Sequence, residues 1–314
     1  MTLRIAVASR SFSRHPVLRA EMLRRYQHVT FNDAGRSLVG DELAAFLDGH
    51  QRAITALERL DDALFARLPM LEVVSKYGVG LDMVDIAAMA RRGLRLGWTG
   101  GVNRRSVSEL VLSMMIALLR HVPQSNGEIR NGQWRQITGR QLSGRTVGII
   151  GCGHVGRDLV GLLKPFGCTI LVHDILDQPD FHAAHGLRPV GLETLLREAE
   201  IVTLHVPLDA STRSMLSAER LELLRSDAIL INTARGGLVD EAMVKAMLKD
   251  KRLAAAGFDV FAGEPPEDAE LLALPNVLAT GHIGGSSEEA ILAMGMAAID
   301  GLETATLPDP ALLG

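Results

Sequence analysis

Short apolar runs alternate with amphipathic helical stretches along nearly the whole chain, and this alternation limits its fold more than any other feature. A run of four to seven residues is too short for a buried helix. Strands separated by helices pair in parallel, because the crossover needs the intervening helix. In the first hundred residues "RIAVAS" (4–9), "HVTF" (28–31), "AITAL" (53–57), "EVVSKY" (72–77) and "LRLGW" (94–98) are predicted strands. Helices are predicted over 16–26, 41–48, 61–67 and 84–92, and a long one over 104–121. A polar, glycine-punctuated stretch (123–144) follows. A second series then opens at Arg145: "RTVGII" (145–150), "CTILVH" (168–173), "IVTLHV" (201–206), "AILIN" (228–232), "AAAGFDV" (254–260) and "VLAT" (277–280). The final predicted helix, 286–303, comes after this series is complete and is expected to return to the first domain. The pattern predicts an α/β protein of two doubly wound parallel-sheet domains.

Length supports two domains, since 314 residues exceed one ordinary domain, and 47% hydrophobic residues can fill two cores. The net charge of −4 is spread over both signs without long runs, which argues against nucleic acid and anionic membranes as partners. No apolar stretch approaches the roughly 20 residues of a membrane span. Cys152 and Cys168 are too few for a metal site or a disulfide framework, and His121, His182 and His185 show no ligand spacing, so no metal is expected. The start "MTLRIAVASR" runs straight into a strand without a leader, and the expected location is the cytoplasm.

"GCGHVG" places Gly151, Gly153 and Gly156 between a strand and an amphipathic helix. The first glycine permits a tight turn, the second admits a pyrophosphate against the backbone, and the third lets helix and strand pack closely. The helix N-terminus then offers unpaired N–H groups to phosphate. Asp174 ends the next strand 18 residues after Gly156, the place of an acid that binds adenosine ribose hydroxyls. A carboxylate there repels a 2′-phosphate, and no arginine follows in "HDILDQ", so NAD is expected rather than NADP.

Three later strand ends also carry chemistry: Arg235 in "NTARGGLVDE", Glu264 in "GFDVFAGEPP" and His282 in "LATGHIGGSSEE". Parallel strands deliver their carboxyl ends to one rim of a sheet, where ligands of doubly wound folds bind. Arg235, Glu264, His282 and the glycine loop are therefore expected to share one crevice. Gly236 and Gly237 are expected to turn the chain away from it without crowding.

In order and spacing, "GCGHVG", "NTARGGLVDE", "FDVFAGEPP" and "GHIGGSSEE" resemble the D-isomer-specific 2-hydroxyacid dehydrogenases, and "SKYGVGLDMVD" and "GGVNRRSVSELVL" extend the likeness upstream. The resemblance implies a Rossmann-type NAD-binding domain, residues 101–286, inserted into a discontinuous flavodoxin-like substrate domain, residues 1–100 and 287–314, with a cleft that closes around substrate. It implies hydride transfer between NAD(H) and a small D-2-hydroxy or 2-oxo acid, with Arg235, Glu264 and His282 as the catalytic set. Arg235 would grip carboxylate and carbonyl in a planar fork. His282 would protonate the forming alkoxide, and Glu264 would orient the imidazole. Gly78, Val79 and Gly80 would offer backbone N–H groups to the substrate carboxylate. Cofactor contacts fall, besides the loop and Asp174, at His154, Val155, Val206, Thr233, Ala234, Asp259, Gly284 and Gly285. His205, Pro207 and Thr212 would lie beside the adenine. A homodimer through the helix at 104–121 and the Trp134 segment is implied as well.

Some positions depart from the family pattern. Gly281 stands where proline usually precedes the histidine, "TGG" (99–101) where "TPG" is usual, and Met83 where asparagine is common. "GVGLD" and "NRRSVSEL" are similar to the 3-phosphoglycerate dehydrogenase branch, yet Thr55 occupies the place of that branch's phosphate-binding arginine. Two alternatives therefore stand beside a small 2-oxo acid reductase. One is a 3-phosphoglycerate dehydrogenase without a regulatory domain. The other is a non-catalytic NAD-sensing protein of the co-repressor kind.

Overall fold

The computed structural model describes residues 2–309, which fold as two compact units, residues 2–103 with 287–309 and residues 104–286. The first holds a five-stranded parallel sheet of β1 (Ile5–Val7), β2 (Val29–Phe31), β3 (Arg52–Thr55), β4 (Val73–Lys76) and β5 (Arg95–Gly97), in the order β2-β1-β3-β4-β5. That is the flavodoxin-like order. The final helix, Glu288–Thr304, belongs to this unit and lies against β4 and β5. Ser287 caps its start by accepting from the Ala290 N–H at 3.2 Å, and Glu288 and Glu289 complement the positive end. The helix comes close because the contact is made of glycine: a Cβ on Gly97 would fall 2.2 Å from the Gly301 carbonyl oxygen. Ser75 donates to the Ala298 carbonyl at 2.6 Å across the same seam.

The second unit holds a seven-stranded parallel sheet: β6 (Thr146–Ile150), β7 (Thr169–His173), β8 (Arg188–Pro189), β9 (Ile201–Leu204), β10 (Ile229–Asn232), β11 (Ala255–Phe258) and β12 (Val277–Ala279). Their order, β12-β11-β10-β9-β6-β7-β8, reverses direction at β6, the topological switch point of a Rossmann sheet. Helices cover both faces. The long helix Arg104–Leu119 buries Val111, Met114, Met115 and Leu118 on one side, together with Leu159 and Leu163 of the helix His154–Leu163. Leu195, Leu196, Val244 and Met247 pack on the other.

The structure differs from the sequence expectation in several elements. The stretch read as irregular begins with a helix, Val122–Arg130, entered through His121 at φ 54°, so the long helix stops at Leu119. That second helix buries none of its residues, so no apolar period announces it. β8 is two exposed residues, and the helix Arg10–Arg14 is five residues long. Both are too short to carry a pattern. No single helix among the described residues is long and apolar enough to cross a membrane.

Candidate active site

One row of residues runs straight across the second sheet. Ala279 pairs with Phe258, Phe258 with Asn232, Asn232 with Leu204, Leu204 with Ile150, and Ile150 with His173. The residue after each member leaves the same edge: Thr280, Asp259, Thr233, His205, Gly151 and Asp174. Backbone hydrogen bonds continue past the row, from the Thr280 N–H to the Phe258 carbonyl (2.9 Å) and from the Asp259 N–H to the Asn232 carbonyl (3.0 Å). Residues scattered over 130 positions of sequence thus meet along one rim because the strands share a register. Neighbouring strands lie about 4.8 Å apart, which puts the ends of β10 and β12 about 10 Å apart.

On β10 the strand ends in Asn232, buried, whose amide ties the following turn in both directions. Its Nδ2 donates to the Arg235 carbonyl (2.8 Å) and its Oδ1 accepts from the Ala234 N–H (3.1 Å). Arg235 is half-buried and donates one guanidinium N–H to the Ala234 carbonyl at 2.8 Å. Gly237 sits at φ +80°, where a side chain would be strained. Gly236 is glycine for another reason than the open turn expected of it. A Cβ there would fall 1.8 Å from the Phe261 carbonyl oxygen, so the loop after β11 is pressed onto the loop after β10.

Asp259, at the end of β11, is 1% exposed and organises the turn that carries the histidine. Its carboxylate accepts from the Thr280 hydroxyl (2.6 Å) and from the N–H groups of Ile283 (2.8 Å) and Gly284 (2.8 Å). Its carbonyl accepts from the His282 N–H at 2.8 Å. These four bonds hold His282 at φ 56°, a left-handed conformation that non-glycine residues seldom adopt. The resemblance cast Asp259 and Gly284 as cofactor contacts, and the structure shows them bonded to each other.

His282 and Glu264 meet at 2.9 Å, Nδ1 to Oε2. Glu264 also accepts from the Phe261 N–H through Oε1 at 3.2 Å. An ionised carboxylate can only accept, so Nδ1 carries the proton of the pair and Nε2 is left to exchange one with a ligand. The His282 and Glu264 side chains are 51% and 40% exposed, open enough for a substrate to reach them.

Toward β6 and β7 the rim carries the glycine loop and Asp174. Gly151 has φ +93°, and a Cβ there would meet the His205 backbone at 2.8 Å. A Cβ on Gly156 would strike the Gly151 carbonyl at 2.2 Å, whereas nothing lies within 4 Å above Gly153. Two glycines are thus required by packing and the middle one faces open space, as approach of a diphosphate demands. The helix His154–Leu163 has no side-chain cap, so its first N–H groups are available to an anion. Thr233 places a buried hydroxyl oxygen without a protein partner at the same rim. These features fit a dinucleotide. Burial holds the His205 imidazole neutral, down to about 3, and its Nε2 lies 3.1 Å from the Thr203 hydroxyl. Thr212 uses its hydroxyl within its own loop, donating to the Pro207 carbonyl (2.7 Å) and accepting from the Asp209 N–H (2.9 Å). Burial and then Asp174 push the Cys152 thiol up to about 11, so it is no nucleophile.

Asp174 does more than its place at the end of β7 implied. Its carboxylate accepts from the Cys152 N–H (2.5 Å) and the Leu176 N–H (2.8 Å), fixing the glycine loop itself. Asp174→Ala therefore removes a loop tether along with the expected ribose acceptor. We expect the Kd for NADH to rise at least about tenfold, roughly 1.4 kcal/mol, and the preference over NADPH to narrow. Fluorescence titration with both nucleotides checks this; a wild type that bound NADPH more tightly would already exclude the ribose role.

In the first unit, the Gly78-Val79-Gly80 loop follows β4, with Gly78 at φ +128° and the Val79 carbonyl accepting from the Trp98 indole at 3.0 Å. Thr55, at the end of β3, is 1% exposed and its hydroxyl has no partner.

Residues 112–284 match the family model for the NAD-binding domain of D-isomer-specific 2-hydroxyacid dehydrogenases. A glyoxylate reductase from Thermococcus litoralis is 35% identical over 243 residues, which are 74% of this chain and 73% of that protein. This chain belongs to the D-isomer-specific 2-hydroxyacid dehydrogenase family. A D-3-phosphoglycerate dehydrogenase from Methanocaldococcus jannaschii is 37% identical over 228 residues, but these are only 44% of its length against 72% of this chain. A crystal structure from Polaromonas sp., assigned to the same NAD-binding family, superposes with a TM-score of 0.88 at 26% identity and covers 97% of this chain and 96% of that one. The protein is an NAD-dependent oxidoreductase of the CH–OH group. Sequence reasoning missed Asn232 as the residue that shapes the arginine turn, although it opens the motif "NTARGG". It also missed the tethers made by Asp174 and Asp259, which depend on register rather than on any local pattern.

Proposed function

We propose that this protein reduces a small 2-oxo acid to its D-2-hydroxy acid, with Arg235, Glu264 and His282 as the catalytic residues. The observation that carries this reading is the 2.9 Å contact between His282 and Glu264, on the same sheet edge as Arg235. When bound, NADH supplies the hydride. The glycine loop and the start of the helix His154–Leu163 would hold its phosphates, Asp174 its adenosine ribose, and Thr233 would offer its hydroxyl. Arg235 orients the oxo acid through two parallel N–H donors and stabilises the negative charge growing on the carbonyl oxygen. His282, with Nδ1 engaged by Glu264, delivers the proton from Nε2 to that oxygen and recovers it in the reverse direction. The Gly78-Val79-Gly80 backbone is assigned to the substrate carboxylate. On this reading the unit with the glycine loop binds cofactor, the other unit binds substrate, and the protein works as a cytoplasmic homodimer. The exposed Ile116, Val122, Ile129 and Trp134 support a subunit contact on the second unit.

The test is NADH oxidation across glyoxylate, pyruvate, hydroxypyruvate, longer branched 2-oxo acids and phosphohydroxypyruvate. The proposal expects turnover of small acids without a phosphate, because Thr55 puts a buried hydroxyl where a phosphate would want a cation. Preference for phosphohydroxypyruvate would move the protein to the phosphoglycerate branch. Tight NADH binding with no turnover of any acid would favour the NAD-sensing alternative.

Glu264→Gln isolates the charge of the pair. The carboxylate accepts the Nδ1–H and places a charge beside it, and an amide at the same place carries none. The kcat for reduction should therefore fall in the variant while NADH affinity holds. The loss should be modest, since both side chains are about half exposed and solvent screens them. An unchanged kcat would remove Glu264 from the proton transfer.

A further inference from the structure

We propose that Glu241, at the start of the helix Glu241–Lys249, is a positioning residue for this reaction, holding the turn from Phe261 to Glu264 so that the Glu264 carboxylate meets His282. This inference rests on the catalytic reading of that pair. The Glu241 carboxylate accepts from the Ala262 N–H at 2.7 Å, and the neighbouring Phe261 N–H donates to Glu264 at 3.2 Å. Two successive backbone N–H groups are thus taken by two carboxylates, one anchored on a helix and one aimed at the histidine. Phe261 is buried, but residues 262–265 of this loop are exposed. Behind it lies a cavity of about 440 Å³ lined by Glu241, Phe261, Glu264, Pro265, Asp268 and Leu271 among others. Its tie points are Glu241 and, one helical turn on, Lys245, which pairs with Asp268 at 2.8 Å. Residues four apart share a helix face, so one stripe of this helix grips the loop at both ends. On its other side the loop meets Gly236, next to Arg235. Burial, with Asp268 adding to it, pushes the Glu241 carboxyl up, a cost that a surface helix start would avoid.

The experiment compares Glu241→Ala, Glu241→Asp and Glu241→Gln, alone and with Glu264→Ala, for kcat and KM in NADH-dependent reduction. Glutamine keeps an acceptor at the right reach and should stay within about threefold of wild type. Alanine lacks the acceptor and aspartate is one methylene too short. Both should lower kcat about tenfold with KM little changed. In the Glu264→Ala background, Glu241→Ala should cost almost nothing further, because it acts through the carboxylate already removed. Full additivity of the two losses, or a defect in Glu241→Gln equal to that in Glu241→Ala, would overturn the proposal while leaving the catalytic pair intact. An unaltered kcat in Glu264→Ala itself would instead overturn the pair, and this inference with it. If Glu241→Ala lowers the melting temperature sharply, the contrast between Asp and Gln still decides, since both keep a polar helix start.

Discussion

His282→Ala is expected to lower kcat by about 10²–10⁴-fold, the range that a positioned acid–base group contributes. NADH affinity should hold, because the glycine loop and Asp174 leave the sheet at β6 and β7, while His282 follows β12 at the opposite end of the order. The fold should tolerate the change. The imidazole is half exposed, and the turn is held through the backbone N–H of His282 and the carboxylate of Asp259, neither of which the substitution removes. Alanine does inherit φ 56°, which costs it about 1 kcal/mol, comparable to what histidine already bears there. Steady-state kinetics with fluorescence titration of NADH separates the two effects. A kcat within a few-fold of wild type would show that some other group moves the proton.

Arg235→Lys tests geometry apart from charge. Lysine keeps a cation at the tip of β10 but loses the flat pair of N–H donors that fits a carboxylate and an adjacent carbonyl. KM should rise and kcat fall together, since on the proposed mechanism one group contacts both the bound acid and the oxygen that gains charge. The combined loss in kcat/KM should reach at least about 10²-fold, or about 2.7 kcal/mol of transition-state stabilisation. Melting temperature should change little, because Asn232 shapes the turn through the Arg235 carbonyl and the Ala234 N–H, not through the guanidinium. Near-normal kcat/KM for every accepted acid would reduce Arg235 to a rim charge.

The strands of both sheets, β8 excepted, were legible because each is a short apolar run, and the motifs were legible because glycine, arginine and histidine come together at successive strand ends. What could not be read was pairing. Asp259 and the N–H groups of Ile283 and Gly284 lie 24 and 25 positions apart, and only the neighbouring placement of β11 and β12 joins them. The same holds for Asp174 and Cys152, 22 positions apart across β6 and β7. Gly236 illustrates a subtler limit. Its identity is recognisable in sequence, but the reason for it, the Phe261 carbonyl 1.8 Å from any Cβ, belongs to another loop. The helix Val122–Arg130 escaped for the opposite cause: with no buried side chain it leaves no apolar period to detect.

The row from Ala279 to His173 also determines what kinds of change this protein can survive. Adding or deleting one residue within a strand turns every later side chain of that strand to the other face, so the residue delivered to the rim would be its neighbour. Length changes beyond the row, outside the two turns that carry Arg235 and His282, carry no such penalty, because each loop begins from its own hydrogen-bonded anchor. Redesign for a bulkier acid should therefore vary loops outside the turns 233–237 and 280–284, which carry Arg235 and His282, and leave strand lengths untouched. A library built on that division would keep the hydride chemistry in frame while the acid it accepts is exchanged.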